Sequence, residues 1–346
     1  MPVPSILFPA DPLNPRRPDP HFAWEARLVR ELGGEHLLVD HDELLAGRAE
    51  EAVRRVPRGS GPLWYRGWML PSARYAEFAA ALTARGGNLL TSPPGYAAAH
   101  ELPGWYGAFE GATPPSVWIP TAGAVPPTPA ELAEAVARLG GSGPAIVKDY
   151  VKSRKHEWQE ACYVPELADL AAVGRVVGRF VELQGEFLAG GVVLRRYEEF
   201  ERADGPDEER GDAVAGAGDA GGPGATDATD ATGGEGGPGS AGGTGDVGGP
   251  GTTGGERRTV EARVWWLDGR PVLVGPHPDA PRLHVEPDLT EVSALVRRLG
   301  CRFVTTDLAS RADGSGWRVV EVGDGQVSDL PRGIDASGLL ASLIAA

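Results

Sequence analysis

The chemistry of this sequence begins with three lysines that stand within eight positions of one another: Lys148, Lys152 and Lys155. Every other basic residue is an arginine, although lysine and arginine together number 33. If arginine replaces lysine wherever either cation suffices, the remaining lysines mark sites that need a compact ammonium group instead of a planar guanidinium. A solvated basic turn is the alternative interpretation of the same cluster.

The first two lysines belong to a predicted strand around Pro144–Val151. Side chains at even spacing share one face of a strand, so Lys148 and Lys152 are predicted to point the same way, about 13 Å apart at ~3.3 Å per residue. Two ammonium groups at that distance can converge on a polyphosphate, and the basic loop 153–156 adds further donors. No P-loop motif and no G-x-G-x-x-G after a strand occur, which excludes those two kinds of nucleotide site.

A pair of carboxylates forms the second group of interest. Asp307 and Glu321 lie on two neighbouring predicted strands, 303–308 and 317–322, and the turn that follows adds Asp324. Two carboxylates brought together repel unless a cation joins them, and Mg²⁺ typically takes one or two carboxylates plus substrate phosphates. A hydrogen-bonded structural pair is the alternative.

The elements that must position these groups divide into two parts. A strand–helix–strand order at the start predicts a right-handed parallel unit, so residues 1–92 are expected to form a small α/β, Rossmann-like lobe. Residues 93–127 are a connecting segment rich in proline and aromatic residues. Residues 128–346 are predicted to be an α+β region of antiparallel strands, in which Thr128 caps the first helix.

The charge of the chain is unevenly distributed. Of the net −15, residues 204–256 contribute −10, because they hold eleven acidic residues and one basic residue. That stretch has no aromatic residue, leucine or isoleucine, so nothing in it can offset the entropy of ordering. We predict a disordered Gly/Asp-rich insertion at about 203–257, extending a hairpin loop.

Composition excludes several classes of protein. No run approaches the ~18 apolar residues of a membrane span, the opening residues do not form a signal peptide, and two cysteines provide neither a disulfide scaffold nor a cysteine zinc site. A cytoplasmic protein is expected, with no membrane partner. A nucleic-acid partner is not expected either, because only the 152–155 loop offers a basic surface.

The order of these motifs resembles the ATP-grasp superfamily. The segment PAIVKDYVKSRKHEW is similar to its lysine strand and loop, GGVVLRRYEEF to its hinge, TVEARVWWLDGRPV to the E-x-R strand, and TTDLASRADGSGWRVVEVGDGQVS to the metal strands. The match is best to an amidoligase-related clade whose signature is one arginine and two lysines, and it covers about residues 115–346. The resemblance implies an α+β fold in which ATP lies between two antiparallel sheets, preceded by the α/β pre-grasp lobe.

The resemblance also implies a set of site residues. The signature trio corresponds to Lys148, Lys152 and Arg195. The residues expected to bind ATP are Lys148, Lys152, Lys155, Arg195, Tyr197, Glu198 and Glu199, those expected to act in catalysis are Arg263, Arg195 and Lys152, and those expected to bind Mg²⁺ are Asp307, Glu321 and Asp324. Arg66 is expected to bind a substrate carboxylate, with a buried ion pair as the alternative.

The implied reaction is ATP-dependent ligation of a small-molecule or peptide carboxylate to an amine, through an acylphosphate. A phosphotransferase and an inactive nucleotide-binding or interaction protein remain as alternatives. Two departures from the superfamily pattern matter: Gly323 replaces an expected asparagine, so Asp324 or Gln326 would have to substitute, and the basic residues 152–155 replace a glycine-rich phosphate loop.

Overall fold

The structure, a computed structural model, describes residues 3–204, 257–278, 283, 285–331 and 333–346. The insertion predicted at about 203–257 therefore lies almost entirely outside the described residues. Among the helices in these ranges, none has the length and apolar character that crossing a membrane requires.

The N-terminal lobe is a mainly parallel sheet covered by helices. Its elements are β1 (Ser5–Asp11), β2 (Asn14–Pro18), α1 (Ala23–Glu31), β3 (His36–Val39), α2 (His41–Leu45), α3 (Ala49–Ala52), β4 (Gly61–Tyr65), α4 (Ser72–Ala84) and β5 (Gly87–Leu89). Strand β1 pairs in parallel with β3 and β4, β4 pairs in parallel with β5, and β2 adds an antiparallel edge. The predicted strand–helix–strand unit is confirmed, and β2, α2 and α3 are additions that its pattern did not indicate.

The following segment is structured as well. It contains α5 (Pro93–His100), α6 (Leu102–Phe109) and β6 (Ser116–Pro120), and leads into α7 (Pro129–Arg138), β7 (Ala145–Lys148), β8 (Tyr163–Val164), α8 (Leu170–Gln184) and β9 (Gly191–Arg196). A capping box joins Thr128 and Glu131 at the start of α7, as the predicted N-cap requires. Strands β6, β9, β7 and β8 form one antiparallel sheet in that order, which we call the lysine sheet.

A second antiparallel sheet closes the chain. Its region comprises β10 (Arg202–Asp204), β11 (Arg257–Thr259), β12 (Glu261–Leu267), β13 (Arg270–Pro276), α9 (Thr290–Leu299), β14 (Phe303–Ser310), β15 (Trp317–Asp324) and α10 (Ser337–Ala345). Strands β13, β12, β14 and β15 pair in that order, and we call them the carboxylate sheet. The α+β organisation and the antiparallel strands are confirmed.

Each sheet buries one face under helices. In the lysine sheet, Val147 and Leu194 pack with Val136 of α7 and Phe180 of α8. In the carboxylate sheet, the outer face packs against α5, α6 and α9, where Trp105, Trp266 and Val296 share one apolar cluster. The remaining faces of the two sheets are left to form the site between them.

Candidate functional site

The inner faces of the two sheets enclose a cavity of about 580 Å³. Its walls include basic, acidic and aromatic side chains: Lys148, Lys155, Arg195, Arg196, Arg202, Glu198, Glu199, Glu261, Glu321, Trp158, Tyr163, Tyr197 and Phe200. Seven of the predicted site residues therefore meet in one cavity.

Lys148 and Arg195 provide the positive charge of the lysine sheet. Arg195 on β9 pairs with Ile146 on β7, so it shares a face with Lys148 two residues further along. Both are nearly inaccessible, and the Lys148 Nζ lies 3.8 Å from the Glu321 Oε1 on the opposite sheet. Burial lowers the pKa of Arg195 to about 10, and its guanidinium lies 5.8 Å from the ring centroid of Trp105. The result is a cationic surface that faces a carboxylate across the cavity.

The predicted placement of Lys152 is wrong. Strand β7 ends at Lys148, because the Asp149 carboxylate accepts hydrogen bonds from the backbone N–H groups of Val151 and Lys152 and closes a turn. Ser153 then pairs with Lys148, so the chain has reversed. Lys152 is absent from the cavity walls, whereas Lys155 is among them. A role for Lys152 in binding or catalysis stays a prediction.

Three strands of the carboxylate sheet place Arg263, Asp307 and Glu321 side by side. Asp307 is the cross-strand partner of both other residues, so all three point toward the cavity. The Arg263 guanidinium donates to both Asp307 oxygens, at 2.7 and 2.8 Å. Burial opposes both charges, but the pairing raises the pKa of Arg263 and holds the pKa of Asp307 well below its usual range.

Two further residues complete this cluster. The Glu261, His277 and Asp307 side chains offer ligand atoms within 4.8 Å of one another, and all three are buried. His277 Nε2 lies 3.1 Å from Arg263 Nη2 and 3.5 Å from Asp307 Oδ2. Burial lowers the pKa of His277, but Glu261 and Asp307 outweigh it and raise that pKa above its ordinary value. Sequence reasoning missed His277, although Glu261 and His277 are nearly symmetric about the Asp-Gly turn of the β12–β13 hairpin.

The position of the expected asparagine is occupied differently. Gly323 lies opposite Thr305, and a Cβ at Gly323 would come within 3.0 Å of the Thr305 Oγ1. The Thr305 hydroxyl is 2.6 Å from the Ser328 hydroxyl. These two hydroxyls, which the sequence analysis did not select, are the oxygen donors beside Glu321.

Asp324 does not join the metal site. It is three residues after Glu321 and points to the other face of β15, where its Oδ1 accepts from the backbone N–H and side-chain amide of Gln326. The side chain is inaccessible, and burial raises its pKa to about 7. Gln326 faces Tyr75 of the N-terminal lobe, so neither residue replaces the missing asparagine.

The far end of the cavity is aromatic. Trp158 and Tyr163 stack with ring centroids 5.1 Å apart, and Tyr197 meets both edge-on. Glu198 is held by the Arg318 guanidinium at 2.8 and 2.9 Å, whereas Glu199 is exposed at the cavity wall. Of the two predicted ribose ligands, the arrangement therefore favours Glu199.

Arg66 does not bind substrate from this position. Its guanidinium makes two hydrogen bonds to Glu25, at 2.8 and 2.9 Å, and both side chains are 1% exposed. It also donates to the carbonyl oxygens of Gly325 and Ser328. The alternative interpretation, a buried ion pair, is correct: Arg66 fastens the loop after β15 to the N-terminal lobe.

Two facing antiparallel sheets, with cations on one and carboxylates on the other, define the ATP-grasp class of fold. The family model that matches describes an ATP-grasp domain, family 3 of the clade with one arginine and two lysines. It matches residues 127–216 and 250–343, more than half of the sequence. The chain belongs to this family, and the resemblance inferred from the sequence is confirmed.

Solved structures share the fold at low sequence identity. D-cycloserine synthetase DcsG aligns with a TM-score of 0.54 and 14% identity, over 99% of this chain and 98% of its own. A RimK domain ATP-grasp protein from Sphaerobacter thermophilus DSM 20745 aligns at 0.53 and 12%, over 99% and 100%. The ATP-grasp ligase PsnB, complexed with minimal precursor, aligns at 0.50 and 14%, over 99% of each chain. No curated protein matches this chain in sequence.

The cavity suits a nucleotide triphosphate with a divalent cation. Aromatic rings at one end fit a purine, and Lys148, Lys155 and Arg195 provide cations for phosphate oxygens. Asp307 and Glu321 provide two carboxylates, the number that Mg²⁺ takes when phosphates fill its other positions. The Arg263 guanidinium already neutralises Asp307, so a cation must share that carboxylate with it.

Proposed function

We propose that this protein is an ATP- and Mg²⁺-dependent carboxylate–amine ligase that forms an acylphosphate and releases ADP and phosphate. The opposition of Lys148 and Glu321 across the cavity carries the proposal. It puts a phosphate-binding cation and a metal-binding carboxylate within reach of one triphosphate. The fold shared with DcsG and PsnB, which are named as a synthetase and a ligase, supports it.

The residues have distinct roles in this proposal. Lys148, Lys155 and Arg195 bind the phosphates, Tyr197 lies against the base, and Glu199 binds the ribose. Asp307 and Glu321 hold the cation, which neutralises charge on the phosphates. Arg263 lies beside them, where it can stabilise charge that develops on the transferred phosphoryl group. The carboxylate and the amine are small molecules or peptides.

Nucleotide binding provides the first test. ATP at a hundredfold excess over Kd should stabilise the parent protein by about 2.7 kcal/mol in the presence of Mg²⁺. Lys148→Ala should lower ATP affinity at least about tenfold, because it removes a phosphate cation and leaves Glu321 unpaired. Lys155→Ala should have a smaller effect, and Arg175→Ala, on the exposed face of α8, should have none. Equal affinity of Lys148→Ala and the parent for ATP would reject the site.

Product analysis separates ligation from its alternatives. Each of the twenty protein amino acids is supplied as the carboxylate, with hydroxylamine as an acceptor that traps acylphosphates as hydroxamates. A ligase releases ADP, inorganic phosphate and hydroxamate only when both co-substrates are present. A phosphotransferase releases ADP and a phosphorylated product without inorganic phosphate, and an inactive binding protein releases no ADP.

A further inference from the structure

A histidine–carboxylate pair lies beside the proposed phosphoryl-transfer site and has no role in it. The His21 Nε2 is 2.8 Å from the Asp329 Oδ1, and each side chain is 35% exposed. His21 precedes α1 in the N-terminal lobe, and Asp329 follows β15. The pair therefore spans the junction between the lobe and the carboxylate sheet.

Arg263 connects this pair to the site. The Arg263 guanidinium that holds Asp307 also lies 3.4 Å, Nη1 to oxygen, from the backbone carbonyl of Asp329. The loop that carries Asp329 is fixed by Arg66, whose donors reach Gly325 and Ser328. The position of Asp329 relative to Arg263 is thus set by buried hydrogen bonds, while its carboxylate stays accessible.

The surroundings of His21 suit a cationic amine. The His21 ring lies 4.6 Å, centroid to centroid, from Trp68, and the Trp68 indole N–H donates to Asp19 at 3.2 Å. The charged groups that face His21 are Asp329, Asp19 and Glu25, all acidic. Across the loop, Arg66 and Arg263 face Asp329. An ammonium group entering here meets carboxylates and an aromatic face, both of which attract cations.

We propose that His21, held by Asp329, binds the amine co-substrate and accepts its proton before the amine attacks the acylphosphate. This inference rests on the proposed function and adds the location of the amine site. A carboxylate can only accept a hydrogen bond, so the Nε2 of His21 carries the hydrogen and the Nδ1 remains the acceptor. His21 is the catalytic residue, and Asp329 is a positioning residue.

The step balances as follows. The ammonium form of the amine gives one proton to the Nδ1 of His21, which later passes it to solvent. The freed lone pair attacks the carbonyl carbon, the C–N bond forms, and the C–O bond to phosphate breaks with its electron pair on phosphate. The second ammonium proton leaves with the phosphate, which departs as the hydrogen phosphate dianion.

Two acceptors of different basicity test the assignment. Hydroxylamine is mostly neutral at pH 7 and needs no base, whereas glycinamide is mostly an ammonium ion. His21→Gln should lower the rate of ligation to glycinamide by about a hundredfold or more and leave hydroxamate formation with hydroxylamine nearly unchanged. His36→Gln, another half-buried histidine of the lobe, is the matched control and should alter neither rate.

The outcomes distinguish this inference from the proposed function. If the parent forms no hydroxamate, the ligase proposal fails. If the parent forms hydroxamate and His21→Gln loses both rates equally, or keeps both, the proton-acceptor role is overturned.

A second measurement needs no turnover. Asp329 is the largest influence that raises the pKa of His21 above its ordinary value, so Asp329→Asn should lower that pKa when it is followed by NMR of the imidazole nitrogens. An unchanged titration would overturn the inference.

Discussion

Asp324 makes the stability of the protein depend on pH in an unusual direction. The carboxyl group is inaccessible, both of its nitrogen donors come from Gln326, and burial raises its pKa from 3.8 to about 7. Between these two pH values the native state keeps a proton that the unfolded chain has lost. The free energy of unfolding must therefore fall as the pH rises through this window.

The magnitude follows from the shift. Three pKa units correspond to about 4 kcal/mol at about 1.4 kcal/mol per unit, all of it lost by pH 7 to 8. Asp324→Asn keeps the shape and the acceptor oxygen but cannot ionise. The variant should match the parent near pH 4 and exceed its stability by up to about 4 kcal/mol at pH 8.

Urea unfolding followed by tryptophan fluorescence at several pH values measures this difference. Glu134→Gln, on the exposed face of α7, is the control and should follow the parent at every pH. Parallel curves for Asp324→Asn and the parent would show that Asp324 is ionised in the folded protein and would refute the reasoning.

Three further predictions concern other parts of the structure. Arg66→Met should cost about 3 to 5 kcal/mol in urea unfolding because it leaves Glu25 buried and unpaired, and Arg66→Met with Glu25→Leu should recover part of that loss; a double variant less stable than the single one contradicts it. Thr128→Ala should cost about 1 kcal/mol through loss of the α7 capping box, with Thr128→Ser close to the parent; a thermal scan that shows no change counts against the cap. Asp149→Ala should weaken ATP binding in calorimetry, because the turn that ends β7 at Lys148 depends on its carboxylate; unaltered affinity would mean that the turn forms without it.

Local patterns in the sequence were sufficient for most of the elements and for the opposition of cations and carboxylates. Lys148 belongs to an apolar strand, and Asp307 and Glu321 to adjacent strands of one hairpin, so short-range order determines where they lie. The face of a strand is also a local property. Asp324 is an odd number of residues from Glu321, and alternation alone places the two on opposite faces.

Other features depend on contacts between distant residues. Arg66 is engaged by Glu25 and by carbonyl groups some 260 positions away, and no spacing in the sequence indicates such partners. The end of β7 was misjudged for a different reason. An aspartate inside an apolar run has strand-like neighbours, and only its four hydrogen bonds, which include Ala189 and Gln184 as donors, show that it closes a turn.

The last helix of the chain has a consequence for how the protein is made. Helix α10 contributes Leu339, Leu340 and Leu343 to an apolar cluster with Ile6 and Phe8 of β1. The indole N–H of Trp64 in β4 donates to the carbonyl oxygen of Leu343 at 2.9 Å. While the chain is still emerging from the ribosome, the first lobe therefore leaves one side of its sheet exposed to water. That side is covered only when synthesis reaches the final residues, so folding of the first lobe waits on the last part of the chain.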